Sequence, residues 1–176
     1  MSPRRLSLAA LAILASLSLV GCANRPATVF VVNGVVTTQS RVSEVAQSCA
    51  TSLNTAFDAE EFTADDLRPN TTQMLFQGQI GVALSQRLGM TYTEDELRVF
   101  LNEAEGAPAF LEDQVCSDMV LDYATFILLM HDIGGRITDA DIDALTITVN
   151  PRYGQFDPAT FEFSGSGSLS QEAAGR

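Results

Sequence analysis

The chain has 176 residues, with 22 acidic side chains against 10 arginines, no lysine, and a formal net charge of −12. So acidic a protein is repelled by nucleic acid and by anionic headgroups, which excludes a nucleic-acid-binding role. One His and three Cys, with no Cys-x-x-Cys pair, leave a zinc site or a thioredoxin-type redox site without its ligands or partners.

The first twenty-two residues are an address. Arg4 and Arg5 precede an apolar stretch from Leu6 to Val20, and Gly21-Cys22 follows. A basic start, an apolar middle of about fifteen residues and a small-residue exit mark an export signal. The stretch is short for a membrane span. Leu19-Val20-Gly21-Cys22 resembles the bacterial lipobox, whose Cys is acylated and becomes the first residue of the mature chain. That resemblance implies a signal peptide at 1–21, a lipidated tether at 22–27, and a protein held on the extracytoplasmic face of the cell membrane, its Cys22 carrying palmitate-type acyl chains. Two acyl chains supply the anchor that stable attachment requires. The residues after Arg4-Arg5 match a twin-arginine signal poorly, so general secretion is the expected route. Loss of Arg4 and Arg5 moves the formal net charge to −14.

With Cys22 lipidated, Cys49 and Cys116 remain. Two thiols in an exported protein point to one disulfide; the alternative is a pair of free cysteines packed as small apolar groups.

Thr28 to Val32 and Val35 to Thr38 are β-branched runs around Asn33-Gly34, which predicts a hairpin. From Ser40, residues Val42, Val45, Ala46, Cys49, Ala50, Leu53 and Phe57 recur with helical spacing and make one apolar face. Asp58 to Arg68 reads as irregular, with Pro69 in the first turn of a second helix that runs to Leu88 and stops at Gly89. Its stripe is Phe76, Ile80, Ala83, Leu84 and Leu88, and Gly78 and Gly81 would let another helix come close. Thr93-x-x-Glu96 is a capping box for a helix with Leu97, Phe100, Leu101 and Ala104 inward. One or two helices fill Ala109 to Asp132, and Gly134-Gly135 ends them. Thr138 caps a short helix from Asp139 to Leu145, and Thr146 to Asn150 alternates like a strand that Pro151 ends. Beyond Gly154 the Gly- and Ser-rich chain predicts a disordered tail, placed at 158–176. The whole predicts a mostly helical domain over 28–157, with a small sheet in which N- and C-terminal strands pair.

Val31-Val32-Asn33-Gly34-Val35-Val36-Thr37-Thr38, followed by an amphipathic helix, resembles the start of the SurA-type N-terminal domain of exported chaperones and parvulin-type prolyl isomerases. Leu88-Gly89 just before Thr93-Glu94-Asp95-Glu96 resembles that family's second element, and Val149-Asn150-Pro151-Arg152-Tyr153-Gly154 resembles the closing segment of its actinobacterial members. The resemblance spans roughly residues 28 to 157. It implies a helical client-binding module. A parvulin domain needs some 90 further residues and a pair of His; too few residues lie between the last long helix and Asn150 to hold it, and His131 is the single histidine of the sequence. The resemblance therefore implies a chaperone module without isomerase activity, not an enzyme.

His131, at the end of an apolar helix, is explained by the helix dipole. Asp139-x-Asp141-x-Asp143 lacks the Gly and the final Glu of a calcium loop and reads as acids in a first helical turn. Phe126-Ile127-Leu128-Leu129-Met130 is apolar on more than one helical face. Core burial accounts for it; any exposed part, with Phe126, Leu129, Met130 and Met74 as candidates, would make an adaptable client groove. No metal or cofactor is expected. The expected partners are unfolded exported proteins and, through the lipid, the membrane; the alternative is an adaptor lipoprotein that docks one folded cell-envelope protein.

The lipobox generates the first prediction. Cys22→Ala leaves the precursor uncleaved or sheds the protein into the medium. Fractionation and gel migration identical to wild type would refute lipidation at Cys22.

Overall fold

The computed structural model describes residues 27–58, 61–104 and 106–164. The lipobox with Cys22, and residues 165–176, lie outside the described residues. The domain is mostly helical with a small antiparallel sheet.

The hairpin forms as the sequence dictates. Strand β1 (Thr28–Val32) pairs antiparallel with β2 (Val35–Thr38) through Asn33 and Gly34, both at positive φ. The register slips between Thr28 and Phe30, so Val29 is a bulge, and Val29 and Phe30 are both buried. On its other edge β1 takes β3 (Ile147–Val149), giving the order β2-β1-β3. An asparagine clamps each end of that long-range pairing. Asn33 accepts from the Thr146 N–H at 2.9 Å through its side chain, and Asn150 donates from its amide to the Thr28 carbonyl at 2.8 Å.

Helix α1 (Gln39–Phe57) starts from a Thr38 cap and buries Val42, Val45, Ala46, Cys49, Ala50 and Leu53. Phe57 departs from the predicted face. It sits at the helix end, 55 % exposed, against Phe62. Helix α2 (Ala64–Leu88) begins five residues earlier than the proline suggests. Thr63 and Asp66 form a reciprocal capping box that fixes the start, so Pro69 lies inside the helix. It cannot donate to the Asp65 carbonyl, but both residues are exposed and solvent can serve that group. Phe76, Ile80 and Leu84 are buried as predicted; Leu88, the last helical residue, stays 39 % exposed.

Helix α3 (Glu94–Asn102) has the predicted Thr93/Glu96 box and buries Leu97 and Leu101. Phe100 is half-buried, and Ala104 lies past the helix end and is exposed. A 3₁₀ turn (Ala107–Leu111) leads to α4 (Gln114–Asp132), and a short α5 (Asp139–Asp143) stands on its Thr138/Asp141 box.

The expected tail is ordered as far as residue 164. β4 (Gln155–Asp157) and β5 (Glu162–Ser164) make a second hairpin. Its aromatic residues explain the correction: Phe156 and Phe163 pack on Phe76 with ring centroids 5.3 and 4.5 Å away, and Phe161 packs on Phe126 at 5.5 Å. Gln73 of α2 also donates to the Phe161 carbonyl and accepts from the Phe163 N–H.

Helices α2 and α4 meet backbone to backbone. A Cβ on Gly81 would stand 2.5 Å from the Phe126 Cα, and one on Gly78 would stand 2.9 Å from the Asp122 Cβ. As both positions rise together along the chain, the two helices run the same way, and α3 with the 3₁₀ turn is the return connection. The disulfide between Cys49 and Cys116 ties α1 to α4, with Cα atoms 5.0 Å apart and a sequence separation of 67. Closing so long a loop stabilises the fold by about 4 kcal/mol in the chain-entropy model.

Gly81→Ala tests the close approach. A methyl group gains roughly 0.5–1 kcal/mol of helix propensity. It meets backbone, which cannot swing aside, and overpacking costs about 1–3 kcal/mol. The expected result is a thermal midpoint lowered by several degrees. An equal or higher midpoint would show that the two helices separate at little cost.

Candidate functional site

The four residues expected to form a client groove do not come together as one. Leu129 is 0 % exposed and belongs to the core. Phe126 is buried against Gly81 and Phe161, although its edge and Met130 line a cleft of about 410 Å³ beneath the 158–161 turn. Met74 is half-buried against the core and lines neither that cleft nor the one between α3 and α4. Helix α4 has neighbours on three sides, and the predicted positions mostly face them.

One open apolar surface is between α3 and α4; another, a cleft of about 450 Å³, lies where Ala56 and Phe57 meet Pro108 and Ala109. The first, a cleft of about 490 Å³, is lined by Tyr92, Asp95, Glu96, Val99, Phe100, Glu103 and Leu128. Val99 is 62 % exposed, the highest value among the large apolar residues described as exposed. The local sequence makes this surface. Leu97 and Leu101 turn inward to hold α3 on α4, so Val99, two residues from each, must face out. Leu128 forms part of the opposite wall.

The cleft's rim is acidic and held in place. Asp95 and Val99 of α3 and its C-cap residue Glu103 are spaced four residues apart and continue one ridge. Glu96 accepts from the Thr93 N–H at 2.7 Å and from its hydroxyl at 2.7 Å; the N–H first, then the hydroxyl, hold its carboxyl below the ordinary value. The Tyr92 hydroxyl donates to Asp132 at 3.0 Å. Burial, then the hydrogen bond and charge of Asp132, push the Tyr92 phenol up to about 12. Arg98, the one cation described on α3, is paired with Glu94 at 2.8 Å.

Several other titratable groups serve the fold. Asp113 caps α4, accepting from the Val115 and Cys116 N–H groups at 2.8 and 3.1 Å, and takes the Ser48 hydroxyl of α1. Beside the disulfide, this is a second link between the same helices. The Asp139-x-Asp141-x-Asp143 run is spent on α5, where Asp141 accepts from the Thr138 hydroxyl at 2.6 Å. His131 is exposed beside Asp132. A further cleft of about 400 Å³, where α2 meets Tyr153 and Phe163, mixes polar and apolar side chains, and its Arg68 is paired with Asp65 at 2.7 Å. Among the described residues no three His, Cys, Asp or Glu side chains gather as a metal site, and no helix is long and apolar enough to cross a membrane.

Comparison with family models, with curated proteins and with solved structures finds no match to this chain. The reading of the cleft therefore stands on its own chemistry.

The Asp113 link has a pH signature. The Ser48 hydroxyl, then the Cys116 N–H, hold its carboxyl below the ordinary carboxylate value. Its contribution is thus complete above about pH 4, the value in an unfolded chain, and fades as pH falls through the lower folded value. Asp113→Ala should cost about 1–2 kcal/mol at neutral pH, typical of a lost helix cap. Chemical denaturation at pH 7 and pH 2.5 checks it: the gap between wild type and variant should narrow in acid. A gap that persists undiminished at pH 2.5 would show that charge plays no part.

Proposed function

We propose that this protein is a membrane-anchored, extracytoplasmic chaperone-like lipoprotein, similar to the SurA-type helical module, that holds unfolded exported polypeptides without prolyl isomerase activity. The observation that carries the reading is the α3–α4 cleft: Val99, Phe100, Leu128 and Tyr92 form an apolar surface open to solvent on two helices fixed to the core. Such a surface buries exposed apolar side chains of a client with no covalent step. It yields modest affinity per unit area, because the client must be ordered as it binds. Weak, reversible holding follows from that cost. The lipobox supports the location, and the order of the Val-Asn-Gly hairpin, the Leu-Gly stop and the Thr-Glu-Asp-Glu helix start supports the family likeness.

The test uses the mature lipidated chain in nanodiscs of zwitterionic lipid. At stoichiometric levels it should slow the aggregation of several chemically unrelated denatured proteins, and it should leave a proline-limited refolding reaction unaccelerated. Val99→Asp should weaken the suppression several-fold with little change in thermal midpoint, since an exposed side chain contributes little to folding. Binding of one folded envelope protein with no effect on denatured clients would replace this reading by the adaptor. Accelerated refolding would refute the absence of isomerase activity.

A further inference from the structure

The charge around the cleft says more than its apolar floor does. On the ridge of α3 the side chains read acid, apolar, acid: Asp95, Val99, Glu103. Eight residues separate the two acids, about 12 Å along a helix axis. Neither is in an ion pair with a described residue, whereas Arg98 is engaged by Glu94. Glu96 adds a third acid to the lining, and Asp132, which receives the Tyr92 hydroxyl, stands at the Tyr92 end. No cation lines the cleft among the described residues. An apolar strip bracketed by unpaired carboxylates complements a segment whose own apolar centre is bracketed by cations, and it repels the same segment with acidic flanks.

We infer that the α3–α4 cleft selects unfolded segments that carry a short apolar core flanked by Lys or Arg about 12 Å apart. This deepens the chaperone reading and rests on it. In an extended client that spacing corresponds to cations about four residues apart, and in a helical one to about eight. The apolar floor supplies the holding, as Val99 and Leu128 lose water on contact with the core of the segment. The carboxylates supply discrimination. Being at the surface, they act weakly one by one and are screened by salt.

Three fluorescent peptides test this, with one apolar centre and flanks of Lys, Gln or Glu at that spacing. Each is titrated with the lipidated mature protein in nanodiscs of zwitterionic lipid, with empty nanodiscs as the blank. At low ionic strength the Lys peptide should bind about tenfold more tightly than the Glu peptide, with the Gln peptide between them, and the gap should shrink several-fold in 0.5 M salt. The double variant Asp95→Asn, Glu103→Gln should level the three affinities while still binding the Gln peptide and keeping its thermal midpoint. Val99→Asp should weaken the Gln peptide. Equal binding of Lys and Glu peptides by the wild type, or an undiminished preference in the double variant, would overturn the selectivity and leave the chaperone reading intact. Failure of all three peptides to bind, with denatured proteins still held, would overturn the assignment of this cleft. Failure of both peptides and denatured proteins would remove the chaperone reading itself.

Discussion

At Gly81 the backbone of α2 meets the backbone of α4 with no side chain between them. The arrangement of the other helices follows from that contact. Once α4 lies against α2 in the same direction, the chain between them must travel back, and α3 and the 3₁₀ turn make that return. The disulfide and the Asp113–Ser48 link then fix α1 against α4 from another side. Helix α4 thus packs against α1, α2 and α3, which is why its sequence is apolar on more than one face. Helix α3 is only nine residues long and covers that third face incompletely. The open cleft is what remains uncovered.

The elements legible in the sequence are those whose signals are local. Asn33-Gly34 can hardly be anything but a tight hairpin, and Thr93-x-x-Glu96 places a helix start to the residue. The pairing of β1 with β3 was legible too, because the late alternating run was the only candidate partner for the hairpin. The early start of α2 was less so. Thr63 and Asp66 form a capping box with a shorter acid than the usual Glu, while Pro69 is a stronger mark that here sits at a tolerated, exposed position. The second hairpin was hidden by composition. Gly and Ser dominate only after residue 163, and Phe156, Phe161 and Phe163 are spaced too irregularly to announce a strand, yet each finds an aromatic partner supplied by α2 or α4.

The site shows the same division. That the run from Phe126 to Met130 had more apolar faces than one helix contact needs could be read directly, but which face stays open depends on the length of α3 and on the 158–161 turn. Neither has a signal within the run itself. Val99 offered one: between inward Leu97 and Leu101, an apolar residue on the outer ridge of a helix whose first turn is three acids is a surface choice. The disulfide was the expected pairing of two thiols in an exported protein, with free cysteines as the alternative, and Cys49 lies on the buried side of α1 with Cys116 at the start of the helix that covers it.

The central strand of the sheet is the first to be made, and its second partner is among the last. Phe30 faces Val149 across the β1–β3 ladder. When a chain emerges N-terminus first, β1 waits with one edge open while more than a hundred residues follow. Contacts so distant in sequence form late. Asn33 and Asn150 close the ladder only when both ends are present. A chain cut short before residue 147 has its hairpin and helices but no third strand, and its apolar β1 edge stays open to neighbours and proteases.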